Sequence, residues 1–208
     1  MTKDRPAFPA RVVLATGNPG KLREMREILG PWQVDVRPLS EFTTHAADET
    51  GLSFVENAIL KARFAAAAAG LPAIADDSGL EVDALHGAPG IYSARYAGPG
   101  AGDAANNLKL LDAMSAVPDD RRGARYRCAM AYLRWPTDPS PVIAQAAWEG
   151  RIAHAPRGGS GFGYDPLFIV AGDERRAAEF ESAEKNRVSH RGQALRALVI
   201  ALGAATGA

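Results

Sequence analysis

Three short stretches of this chain carry residue types that can do chemistry on anions and flat rings. Thr16-Gly17-Asn18-Pro19-Gly20-Lys21 offers backbone N–H donors beside a lysine, Ala75-Asp76-Asp77-Ser78-Gly79 offers adjacent carboxylates, and Gly161-Phe162-Gly163-Tyr164-Asp165-Pro166 sets a large aromatic among glycines. A helix beginning after Asn18 would turn its partial positive charge and free N–H groups toward a phosphate, with Lys21 adding a full charge. The loop is not a Walker A motif, which would need glycine and Ser or Thr where the chain has Ala15 and Leu22. Asp76 and Asp77, with Asp48 and Glu49 upstream and Glu81 and Asp83 downstream, could give a divalent metal such as Mg²⁺ hard oxygen ligands. Successive strand residues face opposite ways, so at most one of the adjacent acids performs the chemistry. Phe162 between glycines lets a nucleobase approach its face, while Asp165 and backbone groups read the base edge. Together these stretches describe a nucleoside triphosphate site, joined near the C-terminus by Lys185, His190 and Arg191. Taken one at a time each has a plainer reading: a turn capped by Asn18, solvated acids, a packed phenylalanine.

The elements that must position these residues alternate. Arg11-Val12-Val13-Leu14-Ala15 reads as a strand, and Leu22, Met25, Ile28 and Leu29 recur with helical spacing up to Gly30-Pro31. Asn18 is placed as N-cap with Pro19 in the first helical position. Trp32, Val34 and Val36 alternate as a second strand. Ser53-x-x-Glu56 is a capping-box pattern opening a helix with Val55, Ile59, Ala62 and Ala66 on one stripe and Asn57 and Lys61 on another. Ala73-Ile74-Ala75 then predicts a buried strand that delivers the two aspartates to a strand-to-loop junction, and Leu80, Val82 and Leu85 suggest continuing extended structure. Residues 87–102 read as a long loop before a helix carrying Leu108, Leu111 and Met114. Tyr126, Cys128, Met130 and Tyr132 alternate as a strand, and residues 142–148 form another that should pair with it. A last helix uses Leu195, Leu198, Val199 and Leu202 with Gly203 as its stop. Early alternation followed by adjacent strands argues for an α/β fold with a mixed sheet.

Composition removes several classes. Lys+Arg and Asp+Glu number 24 each, so no global basic field draws in nucleic acid or an anionic membrane, and any anion site must be local. Cys128 is the single cysteine, which excludes an intrachain disulfide and a multi-cysteine zinc site and suits a reducing cytoplasm. His45, His86 and His154 have no partner at metal-ligand spacing, and no Gly-x-Ser-x-Gly elbow is present. No apolar run approaches the ~20 residues a membrane helix needs. The expected layout is a flexible arm over residues 1–10, one domain over residues 11–203 and a short tail over residues 204–208.

The ordered motifs resemble the inosine/xanthosine triphosphate pyrophosphatase family over nearly the whole chain. The resemblance is carried by residues 14–21, Glu49-Thr50-Gly51 with Glu56-Asn57-Ala58, residues 75–80, Gly90-Ile91-Tyr92-Ser93-Ala94-Arg95-Tyr96, residues 161–166 and Ser189-His190-Arg191-Gly192. It implies a homodimer whose protomers have a bent mixed sheet flanked by helices and two lobes around a central nucleotide-binding cleft. It also implies Mg²⁺-assisted conversion of dITP, ITP and XTP to the monophosphate and pyrophosphate by water attack at the α-phosphorus. By position Asp77 matches the proton acceptor and a metal-side acid, and Glu49 a second metal-side carboxylate. Residues 16–21 and Ser78 match the phosphate-binding groups, and Phe162, Gly163, Tyr164, Asp165, Lys185, His190 and Arg191 those around the nucleoside. A Maf-like nucleotide pyrophosphatase and a non-catalytic nucleotide sensor are the alternatives. The first is not expected to pair Ser-His-Arg-Gly with Gly-Phe-Gly-Tyr-Asp, and the second has no need of Glu49 beside Asp77.

Overall fold

A computed structural model of the chain describes residues 9–205. The arm expected over residues 1–10 lies, up to residue 8, outside the described residues, as do residues 206–208 of the tail. Six strands form one mixed sheet in the order β2-β1-β3-β4-β5-β6. These are β1 (Arg11–Leu14), β2 (Asp35–Pro38), β3 (Ala73–Val82), β4 (Gly123–Leu133), β5 (Val142–Ile152) and β6 (Phe168–Val170). β1 runs parallel to β2 and β3, whereas β5 and β6 are antiparallel. The helices are α1 (Pro19–Leu29), α2 (Phe54–Ala69), α3 (Asp103–Ala113), α4 (Ser182–Val188) and α5 (His190–Ala205).

The chain divides into two compact units, and β3, β4 and β5 each contribute residues to both. The first takes in the chain through Asp77, residues 128–146 and α5; the second takes in residues 78–127 and 147–190. In the first unit the period-2 alternation of the strands sorts side chains onto two faces. Val12, Leu14, Ile74, Cys128, Met130 and Tyr132 pack with Met25 and Leu29 of α1 and with Leu195, Leu198, Val199 and Leu202 of α5. Val13, Ala15, Ala73, Ala75, Ala131 and Leu133 pack with Ala58, Ala62, Ala65 and Ala66 of α2. An alanine-lined helix lies close to its sheet, which keeps polar groups of α2 within reach of the strand ends. The second unit centres on Leu80, Val82, Leu110, Tyr126, Trp148, Tyr164 and Phe168. There the buried guanidinium of Arg122 donates to the carbonyls of Met114, Val117, Ile152 and Ala153, satisfying four acceptors.

Several boundaries differ from the sequence reading. β3 does not end at the aspartates but continues to Val82, because Leu80 and Val82 are fully buried and hold the strand extended, so Asp76 and Asp77 sit mid-strand. Trp32 belongs to a 3₁₀ turn rather than to β2. Leu108 is 68% exposed on α3. α5 passes through Gly203 to Ala205, since one glycine costs a helix only ~1 kcal/mol.

Candidate active site

The two faces of β3 explain the separate partners of the adjacent acids. Asp76 follows Ile74 onto the α1/α5 face, where its Oδ2 meets Lys21 Nζ at 3.0 Å and Arg191 Nε at 3.3 Å. Arg191 is itself buried, and its Nη1 donates to Glu24 Oε2 of α1 at 2.5 Å. Burial alone would push the Asp76 carboxyl up; Lys21, Arg191 and Lys61 outweigh it and hold the group well below the usual carboxylate range. Arg191 is shifted up despite burial, chiefly by Asp76 and then by Glu24. Nearby, burial pushes the Cys128 thiol up to about 12, which leaves it a neutral core group.

Asp77 follows Ala75 onto the α2 face. Lys61 Nζ donates to Asp77 Oδ1 at 2.6 Å and to Glu49 Oε1 at 3.2 Å, so one ammonium gathers two carboxylates from segments 28 residues apart. Asn57, one helical turn before Lys61, is fully buried; its Nδ2 stands 3.5 Å from Asp77 Oδ2 and its Oδ1 accepts from Gly51 N. Gly51 is required by that approach, since a Cβ there would lie 2.6 Å from Glu56 Cβ and 2.7 Å from Asn57 Oδ1. Burial raises the Asp77 carboxyl above its ordinary value in spite of Lys61, making it a stronger proton acceptor than a solvated aspartate.

Lys61 was legible only as sharing a helix face with Asn57, which also falls in the Glu56-Asn57-Ala58 stretch of the family resemblance; the signal that could have marked the lysine is its place four residues after that asparagine on an otherwise alanine-rich helix. Glu24 gave no sequence signal beyond lying one turn after Lys21.

The loop before α1 behaves partly as expected. Asn18 is the N-cap, with Pro19 at the first helical position. The first-turn donors are not free, however: Asn18 Oδ1 accepts from Gly20 N at 2.8 Å and Lys21 N at 3.2 Å, and Asn18 N donates to Thr16 Oγ1. What the loop offers an anion is therefore the helix dipole, an open Gly17 and the Lys21 ammonium already balanced by Asp76.

The second unit carries the remaining residues. Asp165 is buried and acts as a hub: Oδ2 accepts from Lys185 Nζ at 2.6 Å and from Phe162 N at 2.9 Å, and Oδ1 accepts from Tyr126 Oη at 3.1 Å. Gly161, at φ +82°, is demanded twice over, because a Cβ would also run into the Asp165 carboxylate. Lys185 Nζ lies 5.0 Å from the centroid of the half-buried Phe162 ring. His190 is buried and stacks on Tyr126 with centroids 4.7 Å apart and planes within 8°. Tyr164 is a core residue whose hydroxyl donates to Ser93 O at 2.8 Å. Asp103 and Asn107 of α3 clamp the Gly163 peptide, the first accepting from its N–H at 2.6 Å and the second donating to its carbonyl at 2.8 Å. Beside the clamp opens a cavity of about 580 Å³ lined by Leu108, Leu111, Pro156, Phe162 and Pro166 among others. Ser78, next to Asp77 in β3, belongs to this second unit and is half-buried.

The sequence profile of the Ham1 family matches residues 12–201. The chain belongs to the Ham1 family. Its Ham1 relatives include the dITP/XTP pyrophosphatase of Thioalkalivibrio sulfidiphilus, 62% identical over 91% of this chain and 96% of that protein, and the dITP/XTP pyrophosphatase of Yersinia pestis, 56% identical over 92% and 98%. A solved HAM1 protein from Coxiella burnetii is 49% identical and superposes with a TM-score of 0.85 over 92% of this chain and 98% of that one. The mixed six-stranded sheet with flanking helices is thus the Ham1 architecture. Among the described residues no group of three or more His, Cys, Asp or Glu side chains is arranged to hold an ion. The donors on hand are the two carboxylates that Lys61 gathers, hard oxygens of the kind Mg²⁺ takes, and Mg²⁺ ordinarily completes its shell with substrate phosphates and water. The site's chemistry therefore fits that ion. Among the described residues no helix is long and apolar enough to cross a membrane.

Proposed function

We propose that this protein hydrolyses deaminated purine nucleoside triphosphates, namely dITP, ITP and XTP, to the monophosphate and pyrophosphate, with residues 11–203 acting as one catalytic domain. The observation that carries the reading is the Glu49–Lys61–Asp77 group: two carboxylates held together by one ammonium, with the more buried acid made more basic. A protein that only sensed nucleotides would have no use for it. The relatives named dITP/XTP pyrophosphatases support the choice of substrate.

In this reading Glu49 and Asp77 would hold Mg²⁺, which would supply charge neutralisation and Lewis acidity toward the phosphoryl oxygens. Asp77 accepts the proton of the attacking water. Lys61 keeps the two acids in register and brings a positive charge beside the phosphate oxygens. Lys21 and the α1 N-terminus face the triphosphate, with Asn18 and Thr16 shaping the loop and Gly17, Pro19 and Gly20 leaving room for it; Ser78 adds a hydroxyl. The Phe162 ring stacks on the base, and Lys185 donates to its 6-oxo group, with His190 completing the nucleoside contacts. Adenine presents an amino donor at that position and meets donor with donor, a mismatch that can discriminate by roughly 10⁴-fold in a desolvated site. The protein acts as a cytoplasmic homodimer with no nucleic-acid or membrane partner.

The test is pyrophosphate release from dITP, ITP, XTP, dGTP and dATP with and without Mg²⁺. Rapid, Mg²⁺-dependent turnover of the first three and little of the last two is expected. Equal rates on all five would end the claim of base selectivity, and no release from any would end the hydrolase reading.

A further inference from the structure

Tyr126 stands outside the residues that the sequence singles out for the nucleoside, yet it touches two of them. It lies on β4, 7% exposed, within the aromatic group of the second unit, with Phe168 at 4.7 Å and Trp148 at 6.4 Å between ring centroids. Its hydroxyl donates to Asp165 Oδ1 and its ring face carries the His190 imidazole. Lys185 and Phe162 N share the other oxygen of the same carboxylate. Among the described residues the Tyr126 hydroxyl is the donor that engages Oδ1, so it stops the carboxylate turning about its Cβ–Cγ bond. That rotation would carry Oδ2 away from both the Lys185 ammonium and the Phe162 backbone.

We propose that Tyr126 is a positioning residue for base recognition, fixing the Asp165 carboxylate with its hydroxyl and the His190 ring with its face. The inference rests on the proposed function, because it takes Lys185 and Phe162 to be the groups that meet the base. Tyr126 acts through Asp165 and His190, both in the second unit. Its loss should weaken what depends on the base and spare what depends on phosphate.

The experiment compares wild type with Tyr126→Phe, which keeps the ring and its stacking and deletes the hydroxyl alone. For dITP, KM should rise roughly fivefold while kcat stays within about twofold. Calorimetric binding of dIMP should weaken by a similar factor, and inhibition by pyrophosphate should not change. In an Asp165→Asn background the Tyr126→Phe effect should largely vanish, as expected of two residues acting as one unit. Tyr132→Phe, another buried tyrosine of β4 but in the first unit, should change neither ligand. Unchanged dIMP binding in Tyr126→Phe, equal weakening of dIMP and pyrophosphate, or full additivity with Asp165→Asn would each overturn the inference. A wild type that binds dIMP but releases no pyrophosphate from dITP would instead overturn the functional reading, and the dIMP comparison would still decide the role of Tyr126.

Discussion

The two constellations solve different physical problems with different materials. In the first unit six charged side chains, Lys21, Glu24, Glu49, Lys61, Asp77 and Arg191, are arranged around or beside the buried Asp76. In the second a buried ion pair, Lys185 with Asp165, is embedded among rings and glycines. A polyphosphate is recognised by charge, which acts over distance and tolerates small errors in placement. A purine is recognised by an edge of donors and acceptors, where a misplaced donor forfeits the discrimination. Hence the charged region is built from redundant, mutually balancing ions, whereas the aromatic region hangs on one carboxylate with three donors. Damage to the first should appear in turnover and stability, and damage to the second in selectivity.

The largest effect should follow from Asp77→Asn, which keeps the shape and removes the proton acceptor. A loss of about 10³-fold in kcat for dITP is expected, within the range for deleting a general base, with KM little changed. A variant that kept wild-type kcat would remove Asp77 from its assigned role and erase the division of labour between the regions. Next comes Asp76→Asn, on the opposite face of the same strand. It leaves Lys21 and Arg191 short of a buried partner charge, and should cost about 3 kcal/mol of folding stability, as breaking a buried pair does. The pH dependence has a definite sign. Asp76 is held below its unfolded value, so its stabilisation is complete above the ~4 of an unfolded aspartate and is lost as pH falls below it. Denaturant titration of metal-free protein should show the difference between wild type and variant shrinking through that window.

The sequence exposed this division unevenly. β1, the Asn18 cap, α1 and the Ser53 start of α2 were readable because caps and periodicity are local, and the observed hydrogen bonds from Asn18 and between Ser53 and Glu56 are the ones those patterns imply. The opposite orientation of Asp76 and Asp77 was readable too, because strand alternation has a period of two. Lys61 was not. Its meaning depends on Glu49 and Asp77 arriving from either side of α2, and nothing on the helix itself announces them. Arg191 reaches Asp76 across 115 positions, and Asp165 reaches Tyr126 across 39, separations that no local pattern encodes. The mid-strand placement of the aspartates was half readable: Leu80 and Val82 suggest extended structure after them, but only the burial of those two side chains shows that the strand runs on without a junction.

A smaller effect, confined to the second region, is expected of Lys185→Met. It removes the donor proposed for the 6-oxo group and leaves the buried Asp165 with two donors instead of three. The kcat/KM preference for dITP over dATP should fall about a hundredfold, since the charged donor's bond to the 6-oxo group and its clash with the adenine amino group are lost together, with kcat for dITP reduced less than in Asp77→Asn. Loss of turnover with selectivity intact would reverse the comparison.

The smallest effect tests how far the base platform depends on its support. Asn107 donates to Gly163 O and to Asp103 O, but its own Oδ1 is buried with no hydrogen-bond partner among the described residues. Asn107→Leu therefore loses the part-buried hydrogen bond to Gly163 O, worth about 1 kcal/mol, and an exposed one to Asp103 O that water replaces, and it removes an unsatisfied acceptor whose burial costs about as much as the first. It also adds an apolar side chain beside Leu108, Leu111 and the adjoining cavity. The two terms nearly cancel, so the midpoint of thermal unfolding should move by no more than a few degrees, about 0.5 kcal/mol in either direction. Asp103 still accepts from Gly163 N, so the loop keeps one of its two anchors and KM for dITP should rise about twofold. A tenfold rise would mean that α3 holds the Phe162 platform as firmly as Asp165 does, and the aromatic region would then rest on two supports.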